Sequence, residues 1–182
     1  MDYTQQFKYS AFRIILLFGT NLLGLIIGKG LFWVAASLVP PSMQDLKHFL
    51  ISDLTGSVTA ALVMAGTLAA VFRDDGKRHA AYRDMDIILV MITLILMLGA
   101  YFVPVIFYNP FDSTRVIRSV YYMFYFTSRW VIELFGAEMK TAAAVGGGAV
   151  LGLQLIVYEL SYGAYHKKHP VTFRPPHNED DE

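Results

Sequence analysis

The sequence contains no cysteine. Disulfide bonds, zinc sites built from thiolates and cysteine nucleophiles are therefore excluded, and redox chemistry gives no indication of the compartment. The fifteen basic and fifteen acidic residues cancel to a formal net charge of zero. Without an excess of positive charge there is no basic surface to neutralise phosphates, so nucleic-acid binding is not expected.

Familiar catalytic motifs are missing as well, since no HExxH, P-loop or GxGxxG pattern occurs. The five histidines all lie outside the apolar runs. His166 and His169 have the i, i+3 spacing of a helical metal site, but the neighbouring lysines and proline favour the end of a helix at an interface. We therefore expect no metal, no organic cofactor and no enzymatic activity.

The chain is instead rich in hydrophobic residues, which make up 55% of it, while charged residues make up 16%. A soluble core of 182 residues does not need so much apolar sequence. Four runs, 14–39, 54–72, 87–108 and 141–165, reach the roughly 20 residues that cross about 30 Å of hydrocarbon. The sequence predicts an all-α integral membrane protein, a small bundle of four transmembrane helices. Residues 1–165 form its transmembrane domain and 166–182 a disordered polar cytoplasmic tail.

Two further segments have the character of interfacial helices. Residues 42–52 follow the helix-breaking pair Pro40 and Pro41. In 116–137, charged and aromatic residues that include Arg118, Arg129 and Glu133 fall along one helical stripe, which is typical of an amphipathic helix at headgroup depth. The alternative is that 116–137 forms a fifth span whose polar stripe faces the interior of the bundle.

The orientation follows from the distribution of lysine and arginine. The loop after the second apolar run carries Arg73, Lys77, Arg78 and Arg83 and is the natural cytoplasmic side. Four spans place more basic residues on that side than five spans do. The prediction is a multi-pass protein of the cell membrane with both termini in the cytoplasm.

Four polar residues interrupt the apolar runs: Asn21, Lys29, Gln154 and Glu159. An ammonium at the centre of a span costs about 2.5–3.5 kcal/mol, so Lys29 requires an explanation. It either reaches the headgroup region at the outer end of the first span, or it pairs with Glu159 in a polar intramembrane site that Asn21 and Gln154 complete. For Glu159 the alternative interpretation is that its side chain reaches the cytoplasmic headgroups, because it lies near the end of the last span.

Small residues recur every four positions in three of the spans. This spacing lets helix backbones approach closely, either inside one bundle or between two copies of the chain. The residues predicted to pack in this way are Gly24, Gly28, Ser57, Ala61, Ala65, Ala144, Gly148 and Gly152.

Three classes of function fit these features to different degrees. A non-enzymatic accessory or assembly subunit of a membrane complex fits best, with the lipid bilayer and other membrane subunits, or a second copy, as partners. The alternative is a small transporter or channel that uses the polar intramembrane residues. An intramembrane enzyme is least favoured, because it would need clustered acids or histidines within the spans.

Overall fold

The computed structural model describes residues 3–82, 87–107 and 115–169, and this part of the chain is helical with no strand. The helices are α1 (Tyr3–Ile26), α2 (Phe32–Ser37), α3 (Gln44–Ile51), α4 (Asp53–Tyr82), α5 (Ile87–Ile106), α6 (Arg115–Phe124), α7 (Arg129–Phe135) and α8 (Met139–Lys168). A π-helical turn, Ile27–Leu31, joins α1 to α2, and a 3₁₀ turn, Phe126–Ser128, lies between α6 and α7.

Four helical segments are long and apolar enough to cross a membrane, which confirms the predicted helical bundle. They are Phe7–Ser37, Asp53–Tyr82, Ile87–Ile106 and Met139–Lys168. The second segment extends beyond the predicted 54–72, because α4 continues through Asp75 and Gly76 to Tyr82. At the C-terminus, α8 runs to Lys168, and residues 170–182 of the predicted tail lie outside the described residues.

The long helices run alternately up and down. In ring order α1, α4, α8 and α5, each packs against its two neighbours. We name the two ends of the bundle by residues of α4, the Asp53 end and the Asp75 end. The N-terminal end of α1 and the C-terminal end of α8 lie at the Asp75 end, because Arg13 contacts Asp75 and Tyr158 contacts His79.

The core between these helices is apolar and includes side chains from every one of them. Its members with almost no exposed surface include Leu17 of α1, Leu68 of α4, Met97 of α5 and Tyr158 of α8. Many other large apolar side chains point outward, among them Ile15, Leu62 and Ile95, each about two-thirds exposed. A helix that is apolar on both faces is expected in a membrane rather than in water.

Close contact between α1 and α4 depends on glycine. A side chain at Gly24 would meet the backbone of Ala60, and one at Gly28 would meet the backbone of Gly56. In α8 the close approaches are made by Gly146, against Ser128, and by Gly147, against Tyr101. The face of α8 that was predicted to pack is a different one, because Ala144 and Gly152 are exposed and Gly148 is half-buried. The face that packs is set by the 3.6-residue period, and Gly146 and Gly147 lie on it.

Two short segments fill the Asp53 end. Helix α3 lies close to α2 and has no buried residue. The single helix expected over 116–137 is divided instead, because α6 ends at Phe124 and α7 begins at Arg129. The turn between them contacts α1, α4 and α8, and Tyr125, Phe126, Thr127 and Ser128 are almost completely buried. The middle of the segment is therefore part of the bundle core.

Candidate functional site

Polar side chains meet at three levels along the bundle. The first group, the Asp75 cluster, comprises Tyr9, Arg13 and Asp75. The Arg13 guanidinium donates from Nη2 to both Asp75 carboxylate oxygens at 2.6 Å and from Nε to Oδ2 at 3.1 Å. Tyr9 donates its hydroxyl hydrogen to the same Oδ2 at 2.8 Å, and its ring lies 4.7 Å from the guanidinium carbon of Arg13. Each of the two buried charges is thus neutralised and hydrogen-bonded, as burial requires.

Further hydrogen bonds join other helices near the Asp75 cluster. His79 Nδ1 lies 2.7 Å from the Tyr158 hydroxyl and links α4 to α8. The hydroxyls of Ser10 and Thr93, 2.8 Å apart, link α1 to α5. A side chain at Gly76 would meet the Tyr158 carbonyl, so α4 and α8 also approach closely here. Polar contacts therefore hold all four long helices together at this end.

The second group, the Asn21 cluster, comprises Asn21, Tyr101, Thr127 and Ser128. Asn21 donates from Nδ2 to the Phe124 carbonyl at 2.8 Å and accepts from the Thr127 hydroxyl at 2.7 Å. The Tyr101 hydroxyl lies 3.0 Å from Thr127 Oγ1 and 2.9 Å from Ser128 Oγ. Because Asn21 lies eight residues from both Arg13 and Lys29, it is about 12 Å from each along α1 and the π-helical turn that follows it. The turn between α6 and α7 therefore reaches the middle height of the bundle.

Tyr125 adds a neighbouring contact by donating its hydroxyl hydrogen to the Tyr101 carbonyl at 2.8 Å. Burial raises the pKa of the Tyr125 phenol, and the coulombic influence of Tyr101 acts in the same direction. The hydroxyl therefore keeps its proton and remains a donor throughout the physiological range.

The third group, the Asp53 cluster, comprises Lys29, Asp53, Arg129 and Glu133. The Lys29 ammonium pairs with Oδ1 of Asp53, while Nη2 of Arg129 lies 2.7 Å from Oδ2. Nε of Arg129 donates to Glu133 at 3.2 Å, one helical turn further along α7. Lys29 also lies 4.8 Å from the centre of the Phe126 ring, which adds a cation–π contact. The cluster joins α4, α7 and the π-helical turn.

Lys29 thus lies at one end of the bundle with half of its side chain exposed, and its carboxylate partner is Asp53. Glu159 is exposed and follows Tyr158, which contacts the Asp75 end. Since α4 rises about 33 Å between Asp53 and Asp75, the structure does not bring Lys29 and Glu159 together. The hypothesis of a direct pair between them is therefore excluded by distance along the bundle.

Gln154 is fully buried between α8 and α4. Its Nε2 donates to the Val150 carbonyl at 2.8 Å and approaches the Ala65 carbonyl at 3.4 Å, while Oε1 has no partner among the described residues. Of the four predicted polar residues, Asn21 and Lys29 therefore occupy separate clusters, Gln154 lies between two helices, and Glu159 is at the surface. The structure does not assemble them into one site.

The sequence interpretation missed Arg13, Asp75 and Asp53, because charges at the ends of apolar runs were assigned to loops. One signal was present. Leu68, Phe72, Asp75 and His79 follow one another at helical spacing, so Asp75 continues the buried face of α4. The partner of Asp75 on α1 cannot be obtained from spacing within a single helix.

Several open grooves lie on the surface of the bundle. One, about 820 Å³, lies between α6 and the π-helical turn that includes Lys29. A second, about 290 Å³, lies between α4 and α8 and is bordered by Ala61, Ala65 and Trp130. A third, about 210 Å³, lies between α5 and α8 and includes Gly148 and Gly152. Among the described residues, no group of three histidines or acids is placed to hold a metal ion.

Comparison with known proteins gives no relative, since no family model, no curated protein and no solved structure matches this chain.

Proposed function

We propose that this chain is a multi-pass protein of the cell membrane that acts without catalysis, as an accessory or assembly subunit of a membrane complex. Four apolar helices with outward-facing hydrophobic side chains support the membrane location. The Asp75 end also carries Arg73, Lys77 and Arg78, so the positive-inside rule assigns that end, with both termini, to the cytoplasm.

The main support for the subunit proposal is that small residues lie on open grooves at the surface of the bundle. Ala61 and Ala65 border the groove between α4 and α8, and Gly148 and Gly152 border the groove between α5 and α8. A Cβ atom at either of these glycines would have open space around it, with no atom of another described segment within 4 Å. Small residues on an open apolar groove allow the backbone of another helix to approach closely.

The polar interior supports the same proposal. Arg13, Asp75, Asn21 and Thr127 are buried and are used in contacts that join helices of this chain. Groups that bind a passing substrate need to be reachable from water. Side chains already paired within the bundle are better suited to hold a fixed structure than to line a path.

The test is whether a partner still co-purifies when one glycine of the groove is replaced by a larger residue. Gly152→Leu would fill the groove between α5 and α8, whereas Gly66→Leu changes another exposed helical glycine that has open space around it. We expect Gly152→Leu to remove a stoichiometric partner, or a second differently tagged copy, from the protein isolated in mild detergent. Gly66→Leu should retain it.

Equal recovery of the partner with both variants would contradict the proposed groove, and a protein that remains a monomer without a partner would contradict the subunit function.

One feature favours the alternative of a small transporter. Helices interrupted near the middle of a bundle occur at transporter binding sites, and α6 and α7 are interrupted beside Asn21. Solute flux into liposomes that contain the purified chain, abolished by Asn21→Leu, would support that alternative.

A further inference from the structure

We propose that the groove beside Lys29 binds one anionic phospholipid, with its phosphate at Lys29 and Arg129 and an acyl chain along the apolar wall. The groove is defined by its lining residues Leu25, Ile26, Lys29, Gly30, Ser119, Tyr122, Met123, Phe126 and Arg129. We call it the Lys29 groove. This inference does not depend on the subunit function proposed above.

The charges of the Lys29 groove suit an anion. Of the described residues that line it, the charged ones are Lys29 and Arg129, and both are cations. Their carboxylate partners Asp53 and Glu133 are not among the residues that line the groove. Asp53 and Glu133 hold the two cations in place, and an arginine has five N–H donors, more than the two contacts to these acids use.

The rest of the groove is apolar and continues onto the exposed surface. Ile26 and Met123 each have about three-fifths of their surface exposed, and they lie in the wall that faces outward. A free phosphate ion would gain nothing from this wall. A phospholipid matches both parts, because its headgroup is anionic and its chains are apolar. The Tyr122 ring, 5.2 Å from the guanidinium carbon of Arg129, lies where the two parts meet.

The backbone supplies an independent observation. Lys29 and Gly30 lie within the π-helical turn Ile27–Leu31. Such turns are rare and occur frequently at functional sites, because the wider turn changes the direction in which side chains point. Gly30 adds open space, since a Cβ atom there would meet no atom of another described segment within 4 Å. Gly28 in the same turn is fixed against Gly56, so the widened turn is anchored on one side and open to the groove on the other.

The height of the groove also suits a headgroup. Lys29 pairs with Asp53 at the first residue of α4, one of the four segments long enough to cross a membrane. Headgroups lie at the ends of such segments, whereas the hydrocarbon lies between them. A lysine and an arginine beside an apolar wall at this level can bind the phosphate of a headgroup through charge-assisted hydrogen bonds.

The experiment measures lipid retention by native mass spectrometry of the full-length protein in detergent. Phosphatidylglycerol and phosphatidylcholine with identical acyl chains are added in separate arms. We expect one phosphatidylglycerol to be retained in preference to phosphatidylcholine. Lys29→Gln should weaken that retention roughly fivefold, the contribution of one basic residue at a membrane surface. Lys47→Gln, at another exposed lysine of the same end, should not weaken it.

A second variant distinguishes loss of lipid binding from loss of folding. Met123→Trp fills the apolar wall without removing any member of the Asp53 cluster, and it should abolish retention while the thermal unfolding temperature without lipid stays near that of the unchanged protein. Equal retention of both lipids, or equal loss in Lys29→Gln and Lys47→Gln, would overturn the proposal. It would also be overturned if inorganic phosphate raised the unfolding temperature as much as phosphatidylglycerol, or if a polypeptide cross-linked at Met123 excluded lipid.

Discussion

Arg13 of α1 and Asp75 of α4 form a bidentate ion pair while only 9% and 6% of their side-chain surfaces remain exposed. At the other end of α4, Lys29 of the π-helical turn that follows α1 pairs with Asp53. The two aspartates are about 33 Å apart along α4, and the two basic residues are about 24 Å apart along α1 and this turn. Long basic side chains make up the difference, so the two pairs fix the height of α1 against α4.

Arg13→Gln should strongly destabilise the protein, because it leaves the Asp75 carboxylate buried without its charged partner. The expected loss is about 3–5 kcal/mol of unfolding free energy. Arg73→Gln, two residues before Asp75 and exposed, is the matched control and should change the stability little. The measurement is reversible unfolding in detergent. Stability within about 1 kcal/mol of the original for Arg13→Gln would show that the charge pair is not what joins these helices.

Asn21→Leu should release the segment between α6 and α7. Two hydrogen bonds attach this segment to Asn21, and their loss leaves the Phe124 carbonyl and the Thr127 hydroxyl without that partner. We expect a local cost of about 1–3 kcal/mol. Hydrogen exchange should accelerate in Arg115–Phe124 and Arg129–Phe135 while α5 stays protected. Leu22→Ala, at the exposed neighbouring position, is the control. Unchanged exchange in both segments would refute the proposed attachment.

Gly24→Val should separate α1 from α4, because its side chain would collide with the backbone of Ala60. Backbone atoms cannot move aside as a flexible side chain can, so the cost should be at least the 1–3 kcal/mol or so that is typical of overpacking. Gly19→Val, which has open space around it in the same helix, should cost much less. Thermal unfolding of the two purified variants distinguishes them. Equal unfolding temperatures would mean that α1 and α4 do not approach closely at Gly24.

The orientation is tested by reporter fusions after residues 80 and 182. With four spans, both positions lie on one side of the membrane, and the positive-inside rule predicts from the basic residues near Asp75 that this side is the cytoplasm. Both fusions should therefore give a cytoplasmic signal. Opposite signals would establish an odd number of spans, and α6 with α7 would then be the additional crossing.

The four long helices could be predicted from the sequence because membrane insertion is a property of each segment alone. About 20 apolar residues suffice, whatever the rest of the chain does. Gly24 and Gly28 were recognisable for a similar reason, since small residues four positions apart in one apolar run predict a close helix contact.

Other features depend on contacts between segments that are distant along the chain. Asp75 appears in the sequence as one charge among several in a basic loop, and only packing of α1 against α4 brings Arg13 to it. The break at Phe126–Ser128 was not visible either, because 116–137 has the periodic pattern of one continuous helix. Hydrogen bonds from Asn21 and Tyr101 compensate for the interrupted helix and bury the turn.

The sequence by itself therefore determined the class of protein, the number of long helices and the close approach at Gly24 and Gly28. Apolar length and helical period are local quantities, so they can be read along one chain. The tertiary structure alone decided that Lys29 is the partner of Asp53 rather than Glu159, and that Gly146 and Gly147 make the close contacts of α8. Those outcomes depend on which helices are neighbours and at what height they pack, and no single segment encodes either.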